Sequence, residues 1–232
     1  MNWSYFVILN GGDAMFRLVK KDLKLSLKIN IFAVIYSLFI SVMGMNLPNY
    51  PLGNIMYILG IIMLVFISVI YSNGYDDKNK TEVVLNSFPI KRTDIVKGKY
   101  MTLIIFMLIS CVLAYSFTNI IKIIGYNVDG NVVSILDIIA AITILFIFYS
   151  VYYPLYFKLG DLKVFNTILW MLMFASPSII TKIVKKLEAK GLLDKIASFD
   201  LKEISLYTLI FSIAIYYISF QISKKLYMKR EF

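Results

Sequence analysis

Few residues in this sequence could carry out covalent or metal chemistry. The chain has no histidine and a single cysteine, Cys111, which lies inside an apolar run. Histidine-based catalytic triads, HExxH metal sites and thiolate metal clusters are therefore excluded within one chain. We interpret Cys111 as a small buried hydrophobic residue.

The sequence also lacks a phosphate-binding loop. Its Gly98-Lys99 pair has Thr93 where the GxxxxGK[ST] motif needs its first glycine, and Tyr100 where the motif needs serine or threonine. The backbone N–H groups that cradle nucleotide phosphates in such a loop are therefore not arranged here. If ATP drives this protein, another chain must bind it.

Charged residues are absent from the middles of the long apolar runs, and Lys122 and Asp137 lie at predicted ends. Ion-coupled transporters and membrane proteases need ionisable groups near the membrane midplane. The sequence therefore favours neither class. It predicts no catalytic residue and no metal site, and it leaves the substrate-binding residues unassigned.

The elements that position the remaining residues are predicted to be membrane helices. Hydrophobic residues make up 59% of the 232-residue chain, and its mean hydropathy is +0.77. Both values are typical of a protein whose solvent is lipid, where one crossing needs about 20 apolar helical residues. We therefore predict an all-α integral membrane protein with six transmembrane helices. The predicted spans cover residues 30–46, 51–73, 100–121, 134–157, 164–183 and 204–222.

The distribution of lysine and arginine predicts the orientation of these spans. With both termini in the cytoplasm, the inner segments hold most basic residues, whereas residues 46–50 hold none and the second outer loop holds only Lys122. The last outer segment, Lys185 to Glu203, breaks the pattern with several lysines, which its four acidic residues largely balance. This is the bias of the positive-inside rule. Topology therefore explains most of the net charge of +10, and we predict a multi-pass protein of the cell membrane that binds no nucleic acid.

The N-terminal region is predicted to contain a leader, ahead of a single transmembrane domain over residues 15–232 that begins with an interfacial helix. Residues 1–14 lack the basic n-region of a signal peptide, so we interpret them instead as a dispensable leader or upstream extension. From Met15 to Ile29 the basic residues share one helical arc beside an apolar face, which predicts an elbow helix on the inner leaflet. The alternative is a topogenic charge cluster with no further role. The basic face comprises Arg17, Lys20, Lys21, Lys24 and Lys28.

The loop between the second and third spans, Tyr75 to Tyr100, is the most informative stretch of the chain. It is too long for a simple turn, and Thr81 to Ser87 has the pattern of a short helix that Pro89 ends. A short helix with an apolar side and a cationic rim is suited to dock another protein. The alternative is a connector that lies along the bilayer surface. The apolar side comprises Val84, Leu85 and Phe88.

The same loop carries the motif of a known family. From Glu82 onward it resembles the pattern E..LL.SLPI.R..IV..KY of small permeases of the type 2 ABC exporter superfamily, with one residue fewer between Glu82 and Pro89 than in that pattern. In particular, it is similar to the permease subunits of Gram-positive exporters of antimicrobial and cytolytic peptides, such as the phenol-soluble modulin exporter. Phe88 stands where leucine is usual, and Asn86 fills a variable position. The residues that carry the resemblance are Glu82, Leu85-Asn86-Ser87-Phe88-Pro89-Ile90, Arg92, Ile95-Val96 and Lys99-Tyr100.

This resemblance implies the membrane subunit of a transporter rather than an enzyme. The subunit would pair with a second permease, identical or related, and with cytoplasmic ATPase subunits that hold ATP and Mg²⁺. The chain itself would then need no cofactor. An amphipathic substrate, a peptide in class, would pass outward between the permeases. A stand-alone immunity or sensor protein of the membrane, without transport activity, is the alternative.

The resemblance also implies roles for particular residues. The segment from Thr81 to Pro89 would be the coupling helix that sits in a cleft of the ATPase, and the elbow helix would rest beside it. Glu82 and Arg92 would make charged contacts across this junction. The residues expected to couple the permease to its ATPase are Thr81, Glu82, Val84, Leu85, Phe88, Pro89 and Arg92.

Overall fold

The computed structural model describes residues 11–47, 52–125, 130–160, 162–189 and 201–231 of the chain. Throughout these ranges the regular structure is α-helical and contains no β-strand, as the sequence predicts. The helices are α1 Gly11–Leu25, α2 Leu27–Met45, α3 Leu52–Lys78, α4 Thr81–Ser87, α5 Arg92–Ile123, α6 Ile135–Leu159, α7 Lys163–Ala189 and α8 Leu201–Met228.

Several of these helices have the length and composition of membrane spans. A shorter apolar stretch, Ile31–Met45, lies within α2. The predicted span 164–183 lies in α7, where several side chains fall outside the described part of the chain. The described residues therefore form a multi-pass helical membrane protein. The four stretches long and apolar enough to cross a bilayer are Gly53–Lys78, Arg92–Ile123, Ile135–Leu159 and Glu203–Met228.

Two helices run well beyond their predicted spans. α3 continues to Lys78 rather than to residue 73, and α5 begins at Arg92 rather than at residue 100. With 32 residues, α5 is about 48 Å long, whereas the hydrocarbon core of a bilayer is about 30 Å thick. The last turns of α3 and the first turns of α5 therefore project past the lipid core, where charged side chains are tolerated.

Hydrogen bonds close one end of the helix bundle. The Gly130 N–H donates to the Met45 carbonyl oxygen at 2.9 Å, and the Asn54 amide donates to the Asp137 carboxylate at 2.9 Å. Asp137 also forms a capping box with Ser134 at the first turn of α6. The end of α2 and the starts of α3 and α6 therefore meet here, and the far ends of α3 and α6 lie opposite.

The core between α6 and α8 is aromatic. Phe146 and Phe157 of α6 pack against Tyr216 and Tyr227 of α8, with ring centroids 4.8 and 5.3 Å apart. Aromatic pairs at such separations contribute more than their buried area alone. The two helices pack along most of their length, so the ends of α6 and α8 lie together. The core also contains four tyrosines of α6 that are at most 2% exposed, Tyr149, Tyr152, Tyr153 and Tyr156.

A helix lies where the sequence predicts the elbow, but its bounds differ. The sequence predicts one helix over residues 15–29, whereas α1 covers Gly11–Leu25 and α2 begins at Leu27. Between them, the Ser26 hydroxyl donates to the Leu23 carbonyl oxygen at 3.0 Å, a local bond that competes with the helical ladder. The first ten residues of the predicted leader lie outside the described residues, and the last four belong to α1.

α1 lies alongside the first turns of α5. A Cβ at Gly98 would lie 3.2 Å from the Leu18 Cβ, so the two backbones approach closely at this point. One turn further along both helices, the Thr102 hydroxyl donates to Asp22 Oδ2 at 3.4 Å. Because these contacts advance together, α1 and the start of α5 run in the same direction.

Candidate functional site

The helix between α3 and α5 forms where the sequence predicts it. α4 covers Thr81–Ser87 and follows Lys80, whose φ of 47° turns the chain out of α3. It ends at Phe88, which is extended (φ −90°, ψ 157°) because a residue that precedes proline is disfavoured in the helical region. The backbone therefore presents a separate short helix at the end of the bundle where α3, α6 and α8 finish.

α4 buries one side and exposes another. Leu85 is 4% exposed and packs into the core, whereas Val83 and Val84 are 54% and 38% exposed. Pro89 is exposed as well, and Phe88 is half-buried. The residues of the predicted apolar side, Val84, Leu85 and Phe88, therefore differ in exposure. Leu85 anchors the helix, whereas Val83, Val84 and Pro89 are exposed apolar residues.

Two polar residues of α4 contact the end of α8. Glu82 Oε2 and Arg230 Nη1 form a salt bridge at 3.0 Å. One turn further along α4, the Asn86 amide donates to the Tyr227 hydroxyl at 3.0 Å. Side-chain contacts therefore join α4 to the C-terminal residues of the same chain.

Arg92, at the start of α5, contacts the same C-terminal residues. Its Nη1 donates to the carbonyl oxygens of Met228 at 3.1 Å and Arg230 at 2.9 Å. The last carbonyls of a helix lack backbone donors, so a guanidinium at this position stabilises the helix end. Glu82 and Arg92 thus have contacts within the chain, and their contact with an ATPase stays a prediction.

The electrostatic environment of Glu82 combines two opposing effects. Burial raises the pKa of its carboxyl group, because removal from water disfavours the charged form. The neighbouring Arg230 guanidinium lowers this pKa and Asp77 raises it, both by less than burial does. The net result is a pKa above the ordinary value of a glutamate.

A cleft of about 300 Å³ lies beside this junction. Its walls carry both signs of charge, including Asp77, Glu82, Lys163 and Arg230, so it favours neither an anion nor a cation. Gly160 lines the same cleft with a φ of 81°, and a Cβ there would clash with the Arg230 guanidinium. The backbone conformation favours glycine at this position, and a side chain there would displace the Arg230 guanidinium.

A second cluster of charges is buried between α1, α3 and α5. Lys99 Nζ lies 2.6 Å from Asp76 Oδ2 and 3.3 Å from Asp22 Oδ2, and Lys21 Nζ lies 2.7 Å from Asp76 Oδ1. Asp22, Asp76 and Lys99 are at most 8% exposed. Two cations and two anions balance one another, as buried charges require. The cluster ties α1 to both neighbouring helices.

Three consecutive residues of α5 contact different neighbours. Gly98 allows the close approach of α1, and Lys99 enters the buried charge cluster. The Tyr100 hydroxyl is hydrogen-bonded to the Ser219 hydroxyl at 2.7 Å and to the Ser223 hydroxyl at 2.8 Å, both in α8. A step of 100° per residue points successive side chains in different directions. This short stretch therefore joins α1, α3 and α8 around α5.

Comparison with protein families covers nearly all of this structure. The family model described as "ABC-2 family transporter protein" matches residues 17–228, from α1 to the last residue of α8. The chain belongs to the ABC-2 transporter family. Searches of curated proteins and of solved structures gave no match.

Membership of this family gives the chain its general role as a multi-pass permease of an ABC transporter. ABC-2 permeases are membrane transport components that typically lack an ATPase site of their own. The family therefore implies association with an ABC ATPase partner.

The basic residues predicted on one face of the elbow helix occupy different environments in the permease. Lys20 and Lys24 are exposed, and Arg17 is half-buried. Lys21 instead lies against the buried carboxylate at the end of α3, which provides it with a close ionic partner. The side chain of Lys28 lies outside the described residues.

The sequence alone does not single out the carboxylates of the buried cluster or the C-terminal contacts. Asp22 is the one acid among the basic residues of Arg17–Lys28, and Asp76 is the first charged residue after the apolar run 51–73. These two features were the available signals of a buried ion pair, because a buried acid needs a cation nearby. No local pattern marks Tyr227, whose partner on α4 is 141 residues away in the chain.

Proposed function

We propose that this permease is the membrane-embedded half of an ATP-driven exporter whose ATP-hydrolysing subunits are separate chains. The observation that carries the proposal is the apolar surface of α4, formed by Val83, Val84 and Pro89, which we call the docking surface. Exposed apolar surface with a polar rim marks a site of interaction. In an ABC-2 permease the partner that fits it is the ABC ATPase.

The rim of the docking surface is basic. Lys80 and Lys91 flank α4 in the sequence, and both are exposed. A short helix with an apolar tip and a cationic rim fits a cleft with apolar walls and an acidic edge. We therefore expect the ATPase to provide such a cleft.

The other members of the predicted coupling set hold α4 in place. Thr81 and Leu85 are the buried residues of α4, and Phe88 is half-buried at its end. Glu82 and Arg92 contact the C-terminal residues. These residues therefore set the orientation in which the docking surface meets the ATPase.

The mechanism follows from the connections of α4. ATP and Mg²⁺ are held by the ATPase chains, and closure of the ATPase dimer pulls on the docking surface. α4 is continuous with α3 through Lys80 and with α5 through Pro89, and it contacts α8 through Glu82 and Asn86. A displacement of α4 therefore reaches three membrane helices, which rearrange against a second permease, identical or related.

The proposed topology has six spans, α2, α3 and α5 to α8, with both termini in the cytoplasm. The docking surface must face the cytoplasm to meet an ATPase, which places the ends of α3, α6 and α8 on that side. α1 then lies at the inner surface of the membrane. There its exposed residues Lys20 and Lys24 contact anionic lipid headgroups.

The proposed substrate is an amphipathic peptide. This assignment rests on the resemblance of the coupling loop to the permeases of peptide exporters. The membrane helices also expose large apolar side chains, such as Phe39 at 50%, Val112 at 61% and Phe211 at 65%. A substrate with one apolar face is compatible with such surfaces.

Inside-out membrane vesicles that contain the permease and its ATPase test this function. We expect a fluorescent amphipathic helical peptide to accumulate in the vesicles with ATP and Mg²⁺, and not with ADP. A scrambled peptide of the same composition, without an apolar face, is the control. Equal accumulation with ADP would contradict ATP-driven export, and hydrolysis of ATP without accumulation of the peptide would contradict the substrate class.

A further inference from the structure

Residues at the C-terminal end of the permease contact α4 and the start of α5, although these C-terminal residues do not belong to the predicted coupling set. Glu82 and Asn86 of α4 contact their side chains, and Arg92 of α5 contacts their carbonyl oxygens. We call these residues the C-terminal latch. Its members are Tyr227, Met228 and Arg230.

The contacts between α4 and the latch lie about one turn apart on both sides. Glu82 and Asn86 lie four residues apart, so they share one face of α4. Arg230 lies past the last residue of α8, and its N–H donates to the Tyr227 carbonyl oxygen at 3.3 Å, so a turn keeps these two partners close to each other. Two contacts one turn apart fix the direction of α4 as well as its position, whereas a single contact would leave the helix free to swivel.

Contacts with other helices hold the latch residues in place. Tyr227 is fully buried, and its ring packs against Phe157 of α6 at 5.3 Å. The Arg230 guanidinium lies over Gly160, where a side chain would clash with it. The carbonyl oxygens that end α8 accept hydrogen bonds from Arg92. α6, α8 and the start of α5 therefore hold the latch in place.

α4 needs support of this kind because it is very short. It has seven residues, whereas isolated helices shorter than about 12–15 residues are marginal in water. Within α4, Leu85 is the buried apolar side chain, and it packs into the core on one side of the helix. The latch supplies the missing contacts on a second side.

We infer that the C-terminal latch holds the coupling helix in its docking orientation and links it to α8, with Arg230 as a positioning residue. The coupling part of this inference rests on the proposed function. α4 and the end of α8 then move as one unit during the transport cycle, and α8 is the distant span that responds directly to the ATPase.

Charge reversal in the full-length permease tests the inference. The variants are Arg230→Glu, Glu82→Arg and the double variant that carries both. The control is Lys229→Glu, which makes the same charge change at an exposed neighbour. The first measurement is hydrogen–deuterium exchange of the α4 amides in the purified permease, which requires no ATPase. The second is the amount of ATPase that co-purifies.

Each single reversal is expected to speed exchange of the α4 amides roughly fivefold or more, because the helix opens more often. We expect the control to match wild type and the double reversal to restore slow exchange, since it rebuilds the ion pair with opposite polarity. The amount of retained ATPase should follow the same order. Unchanged exchange in both single variants, or no recovery in the double variant, would overturn the inference.

A milder substitution covers the case in which the reversal variants do not reach the membrane. Arg230→Gln removes the cation and leaves the Glu82 carboxylate without its ionic partner on the latch, and wild-type exchange of α4 in this variant would also overturn the inference. The two measurements separate the two proposals. A wild-type permease without any ATPase would contradict the proposed function, whereas exchange of α4 still decides the role of the latch.

Discussion

Lys99 Nζ lies 2.6 Å from Asp76 Oδ2, and this buried contact joins α5 to α3. Asp76 precedes Thr81, the first residue of α4, by five positions. Lys21 and Asp22 of α1 complete the neutral cluster. One set of charges therefore connects α1, α3 and α5 close to the point where the chain enters α4.

Loss of the Lys99 charge should destabilise the permease strongly. In Lys99→Met the buried carboxylates of Asp22 and Asp76 lose one of the two lysines that they share, and breaking a buried ion pair costs about 3–5 kcal/mol. We expect a clearly lower thermal unfolding midpoint in detergent. Lys97→Met is the control, because Lys97 is 46% exposed and lies 3.8 Å from Asp94. Equal midpoints for the two variants would contradict a structural role for the cluster.

The close approach of α1 to α5 predicts opposite effects at two glycines. Gly98→Leu must push Leu18 away and should cost about 1–3 kcal/mol in free energy of unfolding, since the contact is already tight. Gly74→Leu, in α3, meets open space and should be neutral or stabilising by up to about 1 kcal/mol. Denaturant unfolding of both variants measures the difference. A Gly98 variant as stable as the Gly74 variant would argue against the packing of α1.

The raised pKa of Glu82 predicts a pH dependence with a definite sign. Because burial raises this pKa, the folded permease binds the proton more tightly than the unfolded chain does. The contribution of Glu82 to stability is therefore fullest below its unfolded pKa and declines as the pH rises through its folded pKa. We expect the free energy of unfolding of wild type minus that of Glu82→Gln to decrease over this range. An increase would show that attraction to Arg230 outweighs burial.

The orientation of the permease is testable with single cysteines. Cys111 is buried and should stay unlabelled, whereas Ser87 and Ile124 are exposed at opposite ends of the bundle. In intact cells we expect a membrane-impermeant maleimide to label Ile124→Cys and not Ser87→Cys. After permeabilisation both should react. Labelling of Ser87→Cys alone in intact cells would reverse the proposed topology.

The existence of the helices and the bounds of α4 could be predicted because they depend on local sequence. Apolar runs of sufficient length mark the spans, and Pro89 marks the end of α4. The predicted spans stop short of the ends of α3 and α5, because hydropathy reports where the apolar run stops rather than where the helix stops. α1 ends at Leu25 rather than at residue 29, and no apolar periodicity marks the break at Ser26.

The use of the coupling residues could not be predicted, since it depends on contacts between distant parts of the chain. Glu82 and Arg92 stand in a loop that looks exposed, yet both contact residues at the end of α8, and for Arg92 the separation is 138 residues. Lys21 belongs to a helical arc of basic residues, but Asp76 draws it into the interior. Sequence spacing predicts the direction of a side chain on its helix, but it does not predict which distant residue that side chain contacts.

Association with an ABC ATPase is the most direct test of the proposed function. Tagged full-length permease would be purified from its native membrane in mild detergent, and the co-purifying chains identified by mass spectrometry. The same measurement is made on Val83→Glu/Val84→Glu and on the control Ile123→Glu/Ile124→Glu, which makes the same change on exposed residues at the opposite end. We predict that a phosphate-loop ATPase co-purifies with wild type and with the control, and much less with the docking-surface variant. A permease recovered intact without an ATPase would contradict the exporter function and favour a stand-alone immunity or sensor protein.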